Sequence, residues 1–425
     1  MSLADATTLP FHLRGAFAPV LEERTDFELE VTGEIPGELA GTYVRNGPNP
    51  RRASPAWFAG EGMLHAVHLE GGRAAWHKNR WIQGPYAPNT HVVAYGERLL
   101  ALVESRRAVE VTRELETVGV FDFHGAVARS MTAHPKLCPH TGELLFFSYG
   151  ATPPLLTYYR ADAGGHVVHT AELDVGVATF MHDFAVTQNY VVFYVLPVLL
   201  GDFRSPVPIR WSDAVPARIA VLPRDGGNSD LRWFDVAPCT ISHTVNAFED
   251  GGTIVLDAVR APRIMRPHAL HRFRLDLRTG LAAESELCPR FLDFPRVAPA
   301  VVGARQRYAY VTELLDFTSD GGFTRTLAHR YDFETHALVT HDFGEAAMPG
   351  ECIVVPKTEG GPEDDAWALL FVHQRDGSAT KLVLLDARRF EAPPIAEIQL
   401  RGRVPFGLHG DWLPKNVLRE SANRE

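Results

Sequence analysis

Met181-His182-Asp183-Phe184-Ala185-Val186-Thr187 leads, after two polar residues, into Tyr190-Val191-Val192-Phe193-Tyr194-Val195-Leu196. A short apolar run rich in β-branched and aromatic side chains, bounded by turn residues, reads as a buried strand with a histidine at its entrance. Similar runs recur along the chain at 63–69, 92–95, 99–103, 144–149, 219–222, 253–258, 308–312, 353–355, 368–372 and 381–385, and almost every one is flanked by Gly, Pro, Asp or Asn. Few stretches hold a 3.6-residue period; 105–117 and 206–215 are the best candidates for short helices or long loops. Residues 25–31 alternate polar and apolar as one exposed-face strand, and 41–50 reads as a short strand ending in a Gly/Pro turn. The fold class is all-β. Many short strands with no Pro/Ser-rich linker favour a β-propeller of about seven four-stranded blades at roughly 60 residues each, above the usual ~40–50.

Composition narrows the function. The chain has 425 residues, 45% of them hydrophobic, enough for a large core. Length alone would suggest two or three domains, but a repeat architecture makes it one propeller domain over 1–425, with 1–20 irregular and 416–425 a flexible tail. With 52 acidic against 42 basic side chains the net charge is −10, and no Lys/Arg patch interleaved with aromatics offsets it, which argues against nucleic acid as a partner. The first residues lack the pattern of a secretory signal, and the longest apolar run falls short of the ~20 residues of a spanning helix. Cys138, Cys239, Cys288 and Cys352 show no CxxC pairing, which fits buried reduced thiols and a cytoplasmic protein.

Three further histidines share the setting of His182: His134 in Thr132-Ala133-His134-Pro135-Lys136, His243 in Ile241-Ser242-His243-Thr244-Val245-Asn246, and His409 in Pro405-Phe406-Gly407-Leu408-His409-Gly410-Asp411. Their wide spacing excludes a ligand cluster on one helix or loop. It suits a radial architecture, in which the axial end of a different blade carries each imidazole toward one metal. Neutral imidazoles favour zinc, copper, iron or nickel over magnesium or calcium. A structural zinc would normally include cysteine and be closed. By spacing alone, these four of 19 histidines read more readily as hydrogen-bonded core residues than as ligands. His65, His68, His268, His271, His336 and His341 lack the shared pattern and read as surface or structural residues.

Six segments resemble, in order, the signature segments of the carotenoid cleavage oxygenases. They are Gly41-Thr42-Tyr43-Val44-Arg45-Asn46-Gly47-Pro48-Asn49-Pro50; Trp57-Phe58-Ala59-Gly60-Glu61-Gly62-Met63-Leu64-His65; Ala133-His134-Pro135-Lys136 with Thr141-Gly142-Glu143-Leu144; Met181-His182-Asp183-Phe184; His243-Thr244-Val245-Asn246-Ala247-Phe248-Glu249; and Gly407-Leu408-His409-Gly410-Asp411-Trp412. The resemblance spans about residues 11–415. It implies a seven-bladed β-propeller with one iron(II) on its axis, loops and short helices forming a dome above, and His134, His182, His243 and His409 as ligands. It implies a dioxygenase that cleaves the double bond of a small lipophilic alkene with O2 into two carbonyl products, without an organic cofactor.

The same resemblance implies that three ligands are held by carboxylates, as an imidazole bound through one nitrogen donates its other N–H to an acceptor. These are Glu104, Glu351 and Asp293, the last replacing the family's usual Glu with a side chain one methylene shorter. One of the four imidazoles is then left without a carboxylate. Thr90 matches a position that crowds one open coordination site in relatives, and Phe58, Val103 and Phe406 are expected to line the O2 and substrate pocket with it. Val103 stands where stilbene-cleaving relatives carry a phenol-binding Lys, which argues against a phenolate mechanism. The direct passage from Gln83 to Asn89 implies a trimmed dome with a shorter or more open tunnel, which favours an apocarotenoid or another modest-sized alkene over an intact long carotenoid. A carotenoid or apocarotenoid is the expected substrate, with a stilbenoid or phenylpropene as the alternative. Leu199 and Leu200 form an apolar lip suited to peripheral membrane contact, with a packed loop as the alternative. Two rival classes stay open, a binding propeller with structural histidines and an iron-binding propeller acting as isomerase or carrier. Oligomeric state is not readable from the residues.

Overall fold

The structure is a computed structural model that describes residues 9–52, 54–201, 209–264 and 266–415. Among the described residues the strands form seven antiparallel sheets arranged as the blades of a propeller, and one further two-stranded ribbon. Blades 2 to 6 begin with the strands His91–Tyr95, Lys136–Leu137, Ala185–Val186, Thr240–Asp250 and Leu292–Arg296, each followed outward by three more strands in sequence order. The first strands of blades 4 and 5 and of blades 5 and 6 contact one another, which places these inner strands toward the axis.

Closure joins both ends of the chain. Blade 1 places the late strand Gly410–Pro414 at its inner edge beside Gly41–Pro48, then Gly62–Glu70, Arg73–Trp81 and, outermost, Arg24–Phe27. Blade 7 pairs Ala347–Pro349 and Ile353–Pro356 with Ala366–Gln374, continues through Thr380–Asp386 and Ala396–Gln399, and ends on Glu30–Gly33. The N-terminal segment thus ties the outer edges of blades 1 and 7, while the C-terminal strand seals the inner edge. Seven sheets closed this way leave no broken seam at the axis.

The opening apolar run now has a physical explanation. In Tyr190–Val195, Val191, Phe193 and Val195 pack with Leu145 and Phe147 of blade 3, whereas Val192 and Tyr194 pack with Ala247 and Leu256 of blade 5. Both faces of a middle strand are covered by neighbouring blades, so the residues are apolar without alternation. The four cysteines are all buried and unpaired.

Four expectations need correction. Residues 25–31 are not one strand: Glu28 adopts φ 51°, and the chain divides there into one strand for blade 1 and another for blade 7. The strand beginning at Gly41 runs through Pro48, because Gly47 lies against blade 1's inner crossing; a Cβ there would stand 2.8 Å from Gly407 Cα. Segment 105–117 holds the strand Ala108–Val111, whose alternating valines pair with 99–101 instead of coiling. In 206–215, Ile209–Trp211 is a strand that pairs with Val198–Leu200; residues 206–208 lie outside the described residues. The N-terminal stretch is also more ordered than an irregular arm. Phe11–Leu13 and Gly15–Phe17 form 3-10 turns, and Phe17 is buried. The expected tail, 416–425, lies outside the described residues. No helix among them is long and apolar enough to cross a membrane.

Candidate metal centre

The radial architecture brings the four histidines together. His134 and His182 lie two and three residues before the inner strands of blades 3 and 4, His243 lies within that of blade 5, and His409 immediately precedes that of blade 1. His182 Nε2 lies 3.1 Å from His134 Nε2 and 3.3 Å from His243 Nε2. Ligand nitrogens of these three fall within 4.8 Å of one another. The His409 ring packs edge-on at 4.7 Å from that of His134 and 4.9 Å from that of His243.

The opposite ring nitrogens point to carboxylates. His243 Nδ1 donates to Asp293 Oδ1 at 2.5 Å, and His409 Nδ1 donates to Glu351 Oε1 at 2.8 Å. Glu104 Oε1 lies 3.3 Å from His182 Nδ1, an ion-pair distance but out of line for a hydrogen bond. Its Oε1 accepts the Ala133 N–H at 3.3 Å, and its Oε2 accepts the Tyr149 hydroxyl at 3.0 Å. Among the described residues no carboxylate faces His134, so His134 is the unsupported imidazole. Its backbone N–H donates to Thr132 Oγ1 instead.

The Asp293 carboxylate meets His243 from an irregular stretch of the inner strand of blade 6. The ladder of Leu292–Arg296 shifts register between Asp293 and Arg296, and Phe294 takes φ 50°. Such a bulge redirects a side chain at the end of a strand. Burial disfavours charge on Asp293, but His243 outweighs it and holds this carboxyl well below the usual range. Burial and the neighbouring imidazoles hold His134 and His409 well below the ordinary histidine range. These two are neutral, as metal ligation requires.

The same tautomer logic tests the site for a metal. Nδ1–H of His243 and His409 is committed to carboxylates, so their Nε2 atoms carry lone pairs. The His243 lone pair faces His182 Nε2 at 3.3 Å, an approach that a cation or a proton between the two nitrogens stabilises. The observed separations suit two imidazoles sharing one ion at bond lengths of about 2.1 Å.

The pocket residues fall in different places. Thr90 is buried, donates its hydroxyl to Asn89 Oδ1 at 3.1 Å, and through its carbonyl accepts the His409 N–H at 3.0 Å. Phe406 is buried in an aromatic cluster with Phe17, Trp57 and Phe294. Phe294 extends that cluster to the histidines, 5.9 Å from the His243 ring and 5.4 Å from that of His409. Val103 is half-buried beside Glu104. Phe58 is 65% exposed and does not enter the cluster's interior; its carbonyl accepts from Asn89 Nδ2.

Two further histidines border the site. His91, next to Thr90, places its ring 5.2 Å from that of His409 and 5.9 Å from that of His134, and its Nδ1 donates to the Ala133 carbonyl at 2.9 Å. Its position at the start of an inner strand, like the others, was the available signal. His268 Nδ1 lies 3.7 Å from Asp293 Oδ2, and no local pattern around it announced that contact.

Comparison with known proteins accounts for the arrangement. The family profile described as RPE65, retinal pigment epithelial membrane protein, matches residues 17–86 and 83–414. A carotenoid cleavage oxygenase of Mycobacterium tuberculosis is 34% identical over 95% of this chain and 97% of its own. Among solved structures, the lignostilbene dioxygenase of Pseudomonas brassicacearum superposes with TM-score 0.87 at 25% identity, covering 96% of this chain and 99% of that one. A cobalt-substituted apocarotenoid oxygenase of Synechocystis does so with TM-score 0.82 at 26% identity, covering 93% and 97%. With blades, axial histidines and nearly full-length similarity in agreement, the chain belongs to the carotenoid cleavage oxygenase family.

Proposed function

We propose that this chain holds one iron(II) ion through His134, His182, His243 and His409 and, as a dioxygenase, cleaves a carbon–carbon double bond of an apolar carotenoid or apocarotenoid. The observation that carries the reading is the convergence of Nε2 atoms from separate blades, with three of the four Nδ1 atoms turned toward carboxylates. Iron(II), when bound, supplies the redox chemistry by which O2 reacts with an alkene. The overall change balances without a reductant: one C=C is broken, two C=O bonds form, and O2 supplies both oxygens.

The chain's own residues supply position and a dry cavity. Asp293 and Glu351 fix the tautomers of His243 and His409, so that their neutral nitrogens face inward. Glu104 steadies His182 by charge. Phe294, Phe406, Phe17 and Trp57 cover the site with aromatic surface that excludes water and suits a polyene. No general acid or base is needed for the balance above.

Substrate size follows from what this chain omits. Its alignment with the mycobacterial relative spans 495 positions, of which 95% of 425 residues, or about 404, belong to this chain; roughly 90 positions of the relative have no counterpart. If part of that missing length falls in the dome, as the direct passage from Gln83 to Asn89 implies, the cover is smaller and favours an apocarotenoid over an intact long carotenoid. Val103 beside Glu104 offers no cation for a phenolate and favours the polyene over a stilbenol. Membrane contact for substrate loading would fall at the Val198–Leu200 strand, whose Leu199 and Leu200 are half-buried and whose Leu200 packs on the core, as the packed-loop alternative expects. Equal liposome binding by wild type and Leu199→Asp/Leu200→Asp would remove that element.

Metal analysis after anaerobic purification, followed by O2 uptake with apocarotenoids, stilbenes and phenylpropenes, tests the function. One iron per chain and aldehydes identified by mass spectrometry are expected with apocarotenoids. Iron without cleavage would leave an isomerase or carrier, and full iron retention in His182→Ala would overturn the ligand set.

A further inference from the structure

Beside the carboxylates that face the imidazoles lies another, Asp183, that touches none of their ring nitrogens in the described contacts. It is 2% exposed. Its Oδ1 accepts Lys136 Nζ at 2.7 Å and the Phe184 N–H at 2.8 Å, and its Oδ2 accepts the Thr244 N–H at 2.7 Å. The three partners come from three consecutive blades. Lys136 is two residues after His134, Asp183 directly follows His182, and Thr244 directly follows His243.

The local fold explains why these groups are free to meet. Thr240–Asp250 is an inner edge strand whose register shifts on either side of His243 and Thr244. An edge N–H has no neighbouring strand to bond, and the Thr244 N–H finds Asp183. Around this contact, Thr244 Oγ1 donates to the Phe184 carbonyl at 3.1 Å and Tyr194 OH lies 2.7 Å from Thr244 Oγ1. Lys136 Nζ also stands 5.8 Å over the Phe184 ring. Every oxygen of the buried carboxylate is thereby satisfied, which makes its geometry rigid.

We infer that Asp183 is a positioning residue which, with Lys136 and the Thr244 amide, sets the mutual spacing of His134, His182 and His243 for the metal. The inference rests on the four-histidine reading and adds a cross-blade brace to it. Its consequence is greatest for His134, which has no facing carboxylate and whose loop is tied to the next blade through Lys136.

The test compares Lys136→Met, Asp183→Asn, their double variant, and Leu382→Ala, a blade 7 core variant that lowers stability far from the site. The readouts are release of iron(II) to a chelator, the visible spectrum of the cobalt(II) form, and thermal melting. Both single variants are expected to release metal at least about tenfold faster than wild type and to show an altered cobalt spectrum. The double variant removes the unpaired buried charge, so its melting temperature should recover toward wild type while release stays fast. Leu382→Ala should melt early with wild-type release and spectrum. Wild-type release by both single variants, or release by Leu382→Ala as fast as theirs, overturns the brace. Wild-type protein that takes up no metal overturns the ligand reading as well.

Discussion

Glu351 and His409 lie 58 residues apart in the chain and 2.8 Å apart in space, on the two blades that meet where the propeller closes. Glu351 also accepts the Gly410 N–H through Oε2 at 2.8 Å, so one carboxylate fixes both the imidazole and the start of the closing strand. Glu351→Gln keeps one acceptor and loses the charge. It is expected to lower metal affinity about 10–100-fold while the far-ultraviolet spectrum stays that of wild type. Competition with a chelator measures the first and circular dichroism the second.

The Asp293 contact with His243 is already 2.5 Å. The carboxylate stands at the bulge, beside the φ of 50° at Phe294. Asp293→Glu therefore adds a methylene where no gap exists and should displace His243, with overpacking of about 1–3 kcal/mol and reduced metal occupancy. Denaturant melts and metal stoichiometry measure both effects. A variant with full occupancy and unchanged stability would show that the bulge relaxes freely.

The all-β class was legible from local signals, apolar runs bounded by turns; imidazoles at strand entrances singled out four histidines, but their role as ligands came only with the family resemblance. The partners of those histidines were legible only through family resemblance, since Glu104 and His182 lie 78 residues apart and meet only after blades 2 and 4 flank blade 3. The division at Glu28 escaped a period-two reading because both halves keep strand periodicity and only the backbone turns between them. Asp183 was quoted within a motif, but nothing local shows that its carboxylate meets Lys136 and the Thr244 amide. Phe58 illustrates the converse, a motif residue whose side chain faces outward.

The seam between blades 1 and 7 predicts an acid response independent of metal. Burial lowers His77 to about 4 and His373 to about 3, and holds His65 well below its ordinary value. An unfolded histidine titrates near 6.5, so below that pH the unfolded chain binds protons that these folded imidazoles refuse. Stability is therefore full above about pH 6.5 and falls as pH drops toward 4, by up to about 1.4 kcal/mol per pH unit for each group. Urea melts of metal-free protein between pH 7 and 4.5 measure the slope. His373→Gln should reduce it by up to one proton.

Phe406 and Phe58 were both expected to line the pocket but should behave oppositely. Phe406 is 1% exposed, with ring centroids 5.2 Å from Phe17 and 5.3 Å from Phe323. Phe406→Ala opens a cavity in the aromatic cover and should cost about 3–5 kcal/mol. Where the protein stays folded, the added space should raise kcat/KM for longer polyenes relative to shorter ones. Phe58 is 65% exposed, so Phe58→Ala should change stability by no more than about 0.5 kcal/mol. Any effect on turnover should then fall on KM, as expected for a side chain met before the buried site. Chain-length series assayed by O2 uptake separate the two, and an unchanged length preference in Phe406→Ala would remove the aromatic cluster from the substrate path.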